Sequence, residues 1–220
     1  LALPDAMDAL RAGAAHLVAA PRETRALGDD GLDAALRVVG ALAVFAASWA
    51  RPPRARPDPR ASHAADYLRM VTGRAPAAEE VDALDAYLVT VIDHGMNAST
   101  FAARVVASTA SDTVSAVVAA IGALKGKLHG GAPGPVLDML DAIGSPEAAR
   151  DWLAAALSRG ERIMGMGHRV YRVRDPRAFV LERAIARLEA ARATAEPGGR
   201  DVGARLALAR AVEREAEALL

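Results

Sequence analysis

Apolar residues recur along this chain at three- and four-residue intervals, the period of an amphipathic helix. Leu32, Leu36, Val39, Ala43 and Ala47 keep that spacing, and so do Val81, Leu84, Leu88 and Val91 or Ile92. Proline and glycine divide the pattern into about ten helical segments with short connections. Pro4 and Asp5 open a first helix over 5–19, and Asp29 or Asp30 caps a second. Four prolines within 51–60 forbid a helix there, because each removes a backbone donor and clashes with the preceding turn. Ser62 caps a helix that runs to Val71 and stops at Gly73; Pro76 lies in the first turn of the next. Asn97 caps a helix to about 109, and Ser111 or Asp112 caps another over 113–127. Ala116, Ala119, Ala120, Gly122 and Ala123 leave that last helix with a small-residue surface that permits close helix approach. Gly134-Pro135 starts a helix to Ile143, and Ser145-Pro146-Glu147 starts one to Ser158. Residues 159–177 break the period, with Gly160, Gly165, Gly167 and Pro176. Asp175-Pro176 then caps a long amphipathic helix, and Asp201 begins the last. No internal repeat and no sustained heptad occurs, so the pattern predicts an all-α protein.

Composition supports that class. Of 220 residues 54 are alanine, the strongest helix former, and only 4% are aromatic. Arginine supplies 25 of the 27 basic residues. The absence of cysteine excludes disulfides, thiolate metal sites and a cysteine nucleophile. Acidic residues also number 27, and a formal charge of zero argues against a dedicated nucleic-acid binder. The best apolar run, 38–50, holds about a dozen residues against the roughly 18 that a membrane span needs. With no signal-peptide pattern at the start, the expectation is a soluble cytoplasmic protein with neither nucleic-acid nor membrane partners.

Candidate chemistry gathers at three histidines that stand at helix breaks beside glycine: His94, His129 and His168. His16 and His63 fall inside helical patterns. Glycine lets a ligand approach the backbone, and an imidazole at a break keeps its ring available. After His168, four arginines follow within nine residues, and Arg177 lies in a helical first turn. The helix dipole opposes a cation there, which points Arg177 toward an anionic ligand or an acidic partner. Metal binding is not expected, because no two histidines share an i, i+4 helical spacing. No phosphate-loop pattern occurs either, and 51–60 reads as a solvated loop.

The segment Gly165-Met166-Gly167-His168-Arg169-Val170, followed by Asp175-Pro176-Arg177, resembles the signature of the citrate synthase family. His129-Gly130-Gly131-Ala132 and Asp93-His94-Gly95-Met96-Asn97-Ala98-Ser99-Thr100-Phe101 resemble two further motifs of that family, in its order and spacing. The three cover roughly residues 75–190. The resemblance implies an all-helical homodimer whose large and small domains close over an acyl-CoA, usually acetyl-CoA, and oxaloacetate. Residues 1–130 would then be the partial, dimer-forming large domain, and 131–220 the partial small domain on the CoA side. The small-residue helix would lie at or near the dimer interface, with the hinge starting at Gly130-Gly131.

By the same resemblance, His129 hydrogen-bonds the acetyl carbonyl and stabilises the enol, and His168 acts on the oxaloacetate carbonyl. His94 and Arg177 match oxaloacetate-binding positions. Arg162, Ile163, Met164, Gly165, Met166 and Gly167 match the segment that lines the CoA site. No cofactor is implied beyond acetyl-CoA as co-substrate. The chain departs from the family in one respect: the aspartate base, in a motif resembling N-V-D/E-F-Y, has no counterpart after Asp201. The sequence therefore reads as an incomplete member, shortened at both ends. Two alternatives follow, a 2-methylcitrate synthase that uses propionyl-CoA and a non-catalytic relative that only dimerises or binds substrate.

Overall fold

A computed structural model of the chain describes residues 3–17, 31–51, 56–93, 95–130, 133–166, 175–193 and 202–220. These residues hold ten α-helices and no strand. They fall into two compact units, Leu1–His129 and Gly130–Leu220.

The first unit contains α1 (Ala6–Ala15), α2 (Leu32–Ala50), α3 (His63–Thr72), α4 (Ala78–Val91), α5 (Ala98–Ser108) and α6 (Thr113–Leu124). Side chains cap most of these helices. Asp5 accepts from the Asp8 N–H, Ser62 from Ala65, Asn97 from Thr100 and Asp112 from Ser115, so each satisfies a backbone donor that the helix leaves open. The core is built largely of small residues. Ala14, Ala47, Ala64 and Ala116 are buried with Val38, Met70 and Ile121, so backbones rather than bulky side chains approach one another. Gly13 of α1 faces the Phe45 ring of α2, where a Cβ would stand 2.7 Å from the ring. At the far end of α2 the Trp49 indole N–H donates to the Leu3 carbonyl at 2.8 Å.

This unit differs from the sequence reading at several points. Helix α2 has Gly31 as its N-cap, at φ 90°, rather than Asp29 or Asp30, and Pro76 precedes α4, whose cap is Ala77, instead of lying in its first turn. Helix α1 ends at Ala15, with the His16 imidazole bonded through Nδ1 to the Ala12 carbonyl. Helix α6 stops at Leu124 rather than 127, because the chain turns at once through Lys125 and Gly126. Helix α2, with Asp33 and Arg37 in its first turns, is long and apolar enough by length and composition to cross a membrane. The dozen-residue apolar run seen in the sequence understated it. Its neighbours in the structure are α1, α3 and α6.

The proline-rich loop is pinned in part. Asp66, 8% exposed on α3, accepts from the Asp58 N–H through both oxygens and from Arg69 Nη2 at 2.6 Å. The same Arg69 donates to the Arg56 carbonyl. A buried carboxylate needs this many donors to offset its lost hydration.

The second unit contains α7 (Pro133–Ile143), a 3₁₀ turn (Pro146–Ala148), α8 (Ala149–Ser158), α9 (Pro176–Ala193) and α10 (Val202–Leu219). Proline is tolerated at the start of α7, where its missing N–H would have no helical partner. The predicted helix from Ser145 begins as the 3₁₀ turn before becoming α8. The core joins Met139, Leu140 and Ile143 of α7 to Leu153 and Ala156 of α8 and to Leu208, Ala211, Val212 and Ala216 of α10. Ion pairs rim it: Arg150 with Glu215, Arg205 with Asp141, and Arg210 with Glu189.

Candidate active site

In the first unit, the connection from α4 to α5 is folded by its own polar side chains. Asp93 accepts from the Gly95 N–H at 2.9 Å, and the Asn97 amide donates to the Gly95 carbonyl at 3.3 Å. Asn97 Oδ1 accepts twice, from the Thr100 N–H at 3.0 Å and from the Ser99 hydroxyl at 2.7 Å. This connection carries the first histidine motif. His94 itself lies outside the described residues.

The second motif arrives from the other side. After α6 the chain turns so that the His129 N–H donates to the Gly126 carbonyl at 2.8 Å. That turn brings His129 Nε2 to 2.9 Å from Ser99 Oγ. Two motifs 30 residues apart thus meet at one hydrogen bond. Nδ1 of His129 has no partner among the described residues. Of the groups at this junction, sequence reasoning singled out only the histidine and gave Asn97 the role of a cap. Ser99 carried no local signal beyond its place in the motif, since only the tertiary contact distinguishes it from any serine in a helical first turn.

In the second unit, the segment 162–166 is partly a core element. Ile163 is 6% exposed and packs in the core, with Met164 and Met166 laid against it. Arg162 is exposed. Gly165 stands at φ +83°, which only glycine adopts without strain. A Cβ there would also touch Val136 at 3.4 Å. Gly167 and His168 lie outside the described residues.

Arg177 occupies the first turn of α9, and Asp175 precedes it. The Asp175 carboxylate accepts from the Arg177 backbone N–H at 3.0 Å, from Nε at 3.0 Å and from Nη2 at 2.5 Å. An acid at the helix start is favoured by the dipole, and it offsets the cation that the dipole disfavours. Among the described residues no three His, Cys, Asp or Glu side chains gather in a way that could hold a metal ion.

The sequence profile of the citrate synthase C-terminal domain matches residues 2–219. A 2-methylcitrate synthase of Mycobacterium tuberculosis is 43% identical over 159 residues, which are 70% of this chain and 40% of that protein. The citrate synthase of Haloferax volcanii is 45% identical over 155 residues, 68% of this chain and 41% of that protein. Among solved structures, citrate synthase from Thermoplasma acidophilum, in ternary complex with carboxymethyl coenzyme A and oxaloacetate, superposes with a TM-score of 0.83 at 31% identity. That match covers 99% of this chain and 57% of the other. The chain therefore spans about two fifths of the length of those curated relatives.

Proposed function

The chain belongs to the citrate synthase family, and from that premise we propose that it takes part in condensing an acyl-CoA with oxaloacetate. The observation that carries this reading is the junction of His129 with the 93–101 motif, which fixes one ring nitrogen on Ser99. In this reading His129 hydrogen-bonds the thioester carbonyl. The α-proton of a thioester is too weakly acidic to leave at neutral pH unless the developing oxyanion is stabilised. One preorganised donor at that oxygen typically contributes about 3–4 kcal/mol.

His168 acts on the ketone oxygen of oxaloacetate, while His94 and Arg177 bind its carboxylates. Guanidinium suits that task because its fork binds carboxylates bidentately. The backbone of residues 162–167 lines the CoA side. The family's base is an aspartate, and that role is assigned to none of the described acids. We assign the first unit to the large, dimer-forming domain and the second to the small domain. The α5–α6 pair, with Phe101 and Val105 exposed, supplies an apolar surface for a second copy.

Released CoA, read as free thiol, tests the proposal. In a version of the protein that also carries the family's aspartate base, release is expected only when oxaloacetate is present, and His129→Gln and His168→Gln should each lower it at least about 100-fold. Equal release by His129→Gln would overturn the assignment. Acetyl-CoA and propionyl-CoA are compared side by side, because relatives of both substrate names are similar to this chain. One methylene shifts pocket fit by only about 1–3 kcal/mol, so a clear propionyl preference would favour the 2-methylcitrate reading.

A further inference from the structure

Arginine supplies all but two of the chain's basic residues, and the two lysines, Lys125 and Lys127, stand on either side of Gly126 in the turn that follows α6. Their surroundings differ. Lys125 Nζ is held 2.5 Å from Asp8 Oδ2 and 3.8 Å from Asp5 Oδ1. Lys127 is exposed and has neither a hydrogen bond nor an ion pair among the described residues. The backbone sets it close to the histidine. Gly126 to His129 form a four-residue turn, closed by the His129 N–H on the Gly126 carbonyl at 2.8 Å, with Lys127 and Leu128 at its corner. Two residues of chain span at most about 7 Å, a distance that the four-methylene stem of lysine covers. The amine of Lys127 can therefore reach an atom held on the His129 ring.

We propose that Lys127 is an acylation site, modified on Nζ by an acyl thioester whose carbonyl oxygen His129 holds. The inference rests on the reading of His129 given above and adds to it a second acceptor for the acyl group. A thioester is electrophilic at its carbonyl carbon, and a neutral primary amine is a competent nucleophile toward it. Lys127 Nζ first gives one proton to water, then attacks that carbon and forms the C–N bond. His129 donates to the oxyanion of the tetrahedral intermediate. The C–S bond breaks, and the departing CoA thiolate takes the surplus proton from nitrogen. The products are a neutral amide on Lys127, free CoA thiol and one proton in solution. No metal, oxidant or carboxylate base takes part. Each chain releases a single thiol in this way and then stops, so sustained release still needs oxaloacetate. Lys125 would have to leave Asp8 before it could react, which sets the two lysines apart. Acylation also removes the positive charge of Lys127 from the turn.

The test incubates the chain with acetyl-CoA alone and locates acetyl groups by peptide mass spectrometry. Lys127 is expected to be acetylated at least about 10-fold faster than Lys125, at a rate that saturates with acetyl-CoA concentration. Acetyl phosphate, an acyl donor without the CoA portion, should modify the lysines without saturating. His129→Gln should lower the Lys127 rate about 100-fold at unchanged helical content and leave the Lys125 rate as it was. Lys127→Arg, which keeps the charge, should abolish the modification at 127 alone. Comparable rates at the two lysines, a Lys127 rate that rises linearly with acetyl-CoA, or one unmoved by His129→Gln would each overturn the proposal. The condensation reading fails separately. Saturable acetylation of Lys127 without oxaloacetate-dependent thiol release, in the version that carries the aspartate base, would remove condensation and leave the acylation site standing. Oxaloacetate-dependent release with Lys127 unmodified would do the reverse.

Discussion

Ala110 is the one non-glycine residue at positive φ among those described, at +59° in the turn that joins α5 to α6. A Cβ in that conformation meets its own carbonyl and costs about 1–2 kcal/mol, whereas glycine adopts it freely. The side chain is exposed. Ala110→Gly is accordingly expected to stabilise the chain by about 0.5–1 kcal/mol after the extra unfolded-state freedom of glycine is subtracted. A urea midpoint that falls would show that the alanine is favoured there. The same turn brings α5 and α6 together, so it also supports the Ser99 and His129 pairing at their ends. Residue-level reading of the sequence saw none of this, because nothing in Thr109-Ala110-Ser111 announces a left-handed backbone.

Between elements, Lys125 ties the end of α6 to the start of α1. Its Nζ lies 2.5 Å from Asp8 Oδ2 and 3.8 Å from Asp5. The hydrogen bond from Lys125 holds the Asp8 carboxyl below its ordinary value of 3.8; its charge and that of Arg11 act the same way, and partial desolvation opposes them. A carboxyl held low in the folded state contributes stability above its ordinary value, and that contribution is lost as pH falls through the lowered one. The melting-temperature gap between wild type and Lys125→Met should therefore be small but positive at neutral pH, as befits an exposed pair. It should close as the solution is acidified below the carboxylate range. A gap that persists in acid would assign the effect to packing of the lysine stem.

Helix starts were the most legible level of the sequence. Asp5, Ser62 and Asn97 were read at helix starts and Asp112 as one of two candidates, and all four accept a backbone N–H of the first turn, whereas the cap of α2 is Gly31 and not Asp29 or Asp30. A cap acts within three residues, so local sequence contains the whole interaction. Helix ends were less legible: α1 and α6 stop short of their apolar patterns, where the next contact rather than propensity decides.

At the scale of the whole molecule, the second unit depends on Leu153, which is fully buried between the other core residues of α7, α8 and α10. Leu153→Ala should cost about 2–5 kcal/mol and speed backbone hydrogen exchange in α8 and α10. Protection left unchanged in those helices would mean that the core closes over the gap. The ion pairs around this core are exposed and add little to it.

The all-helical class, the number of helices and the three histidine motifs in their order followed from the sequence by itself, because periodicity, capping and motif spacing are short-range properties. The family match over 2–219 agrees with that reading. Tertiary structure alone decided that His129 rests on Ser99 and that Ile163 packs in the core of the second unit. The physical reason is the same in each case. Which side chains share a proton, a charge or a cavity depends on how the chain returns to itself, and residues 30 apart encode that only through the packing of everything between them.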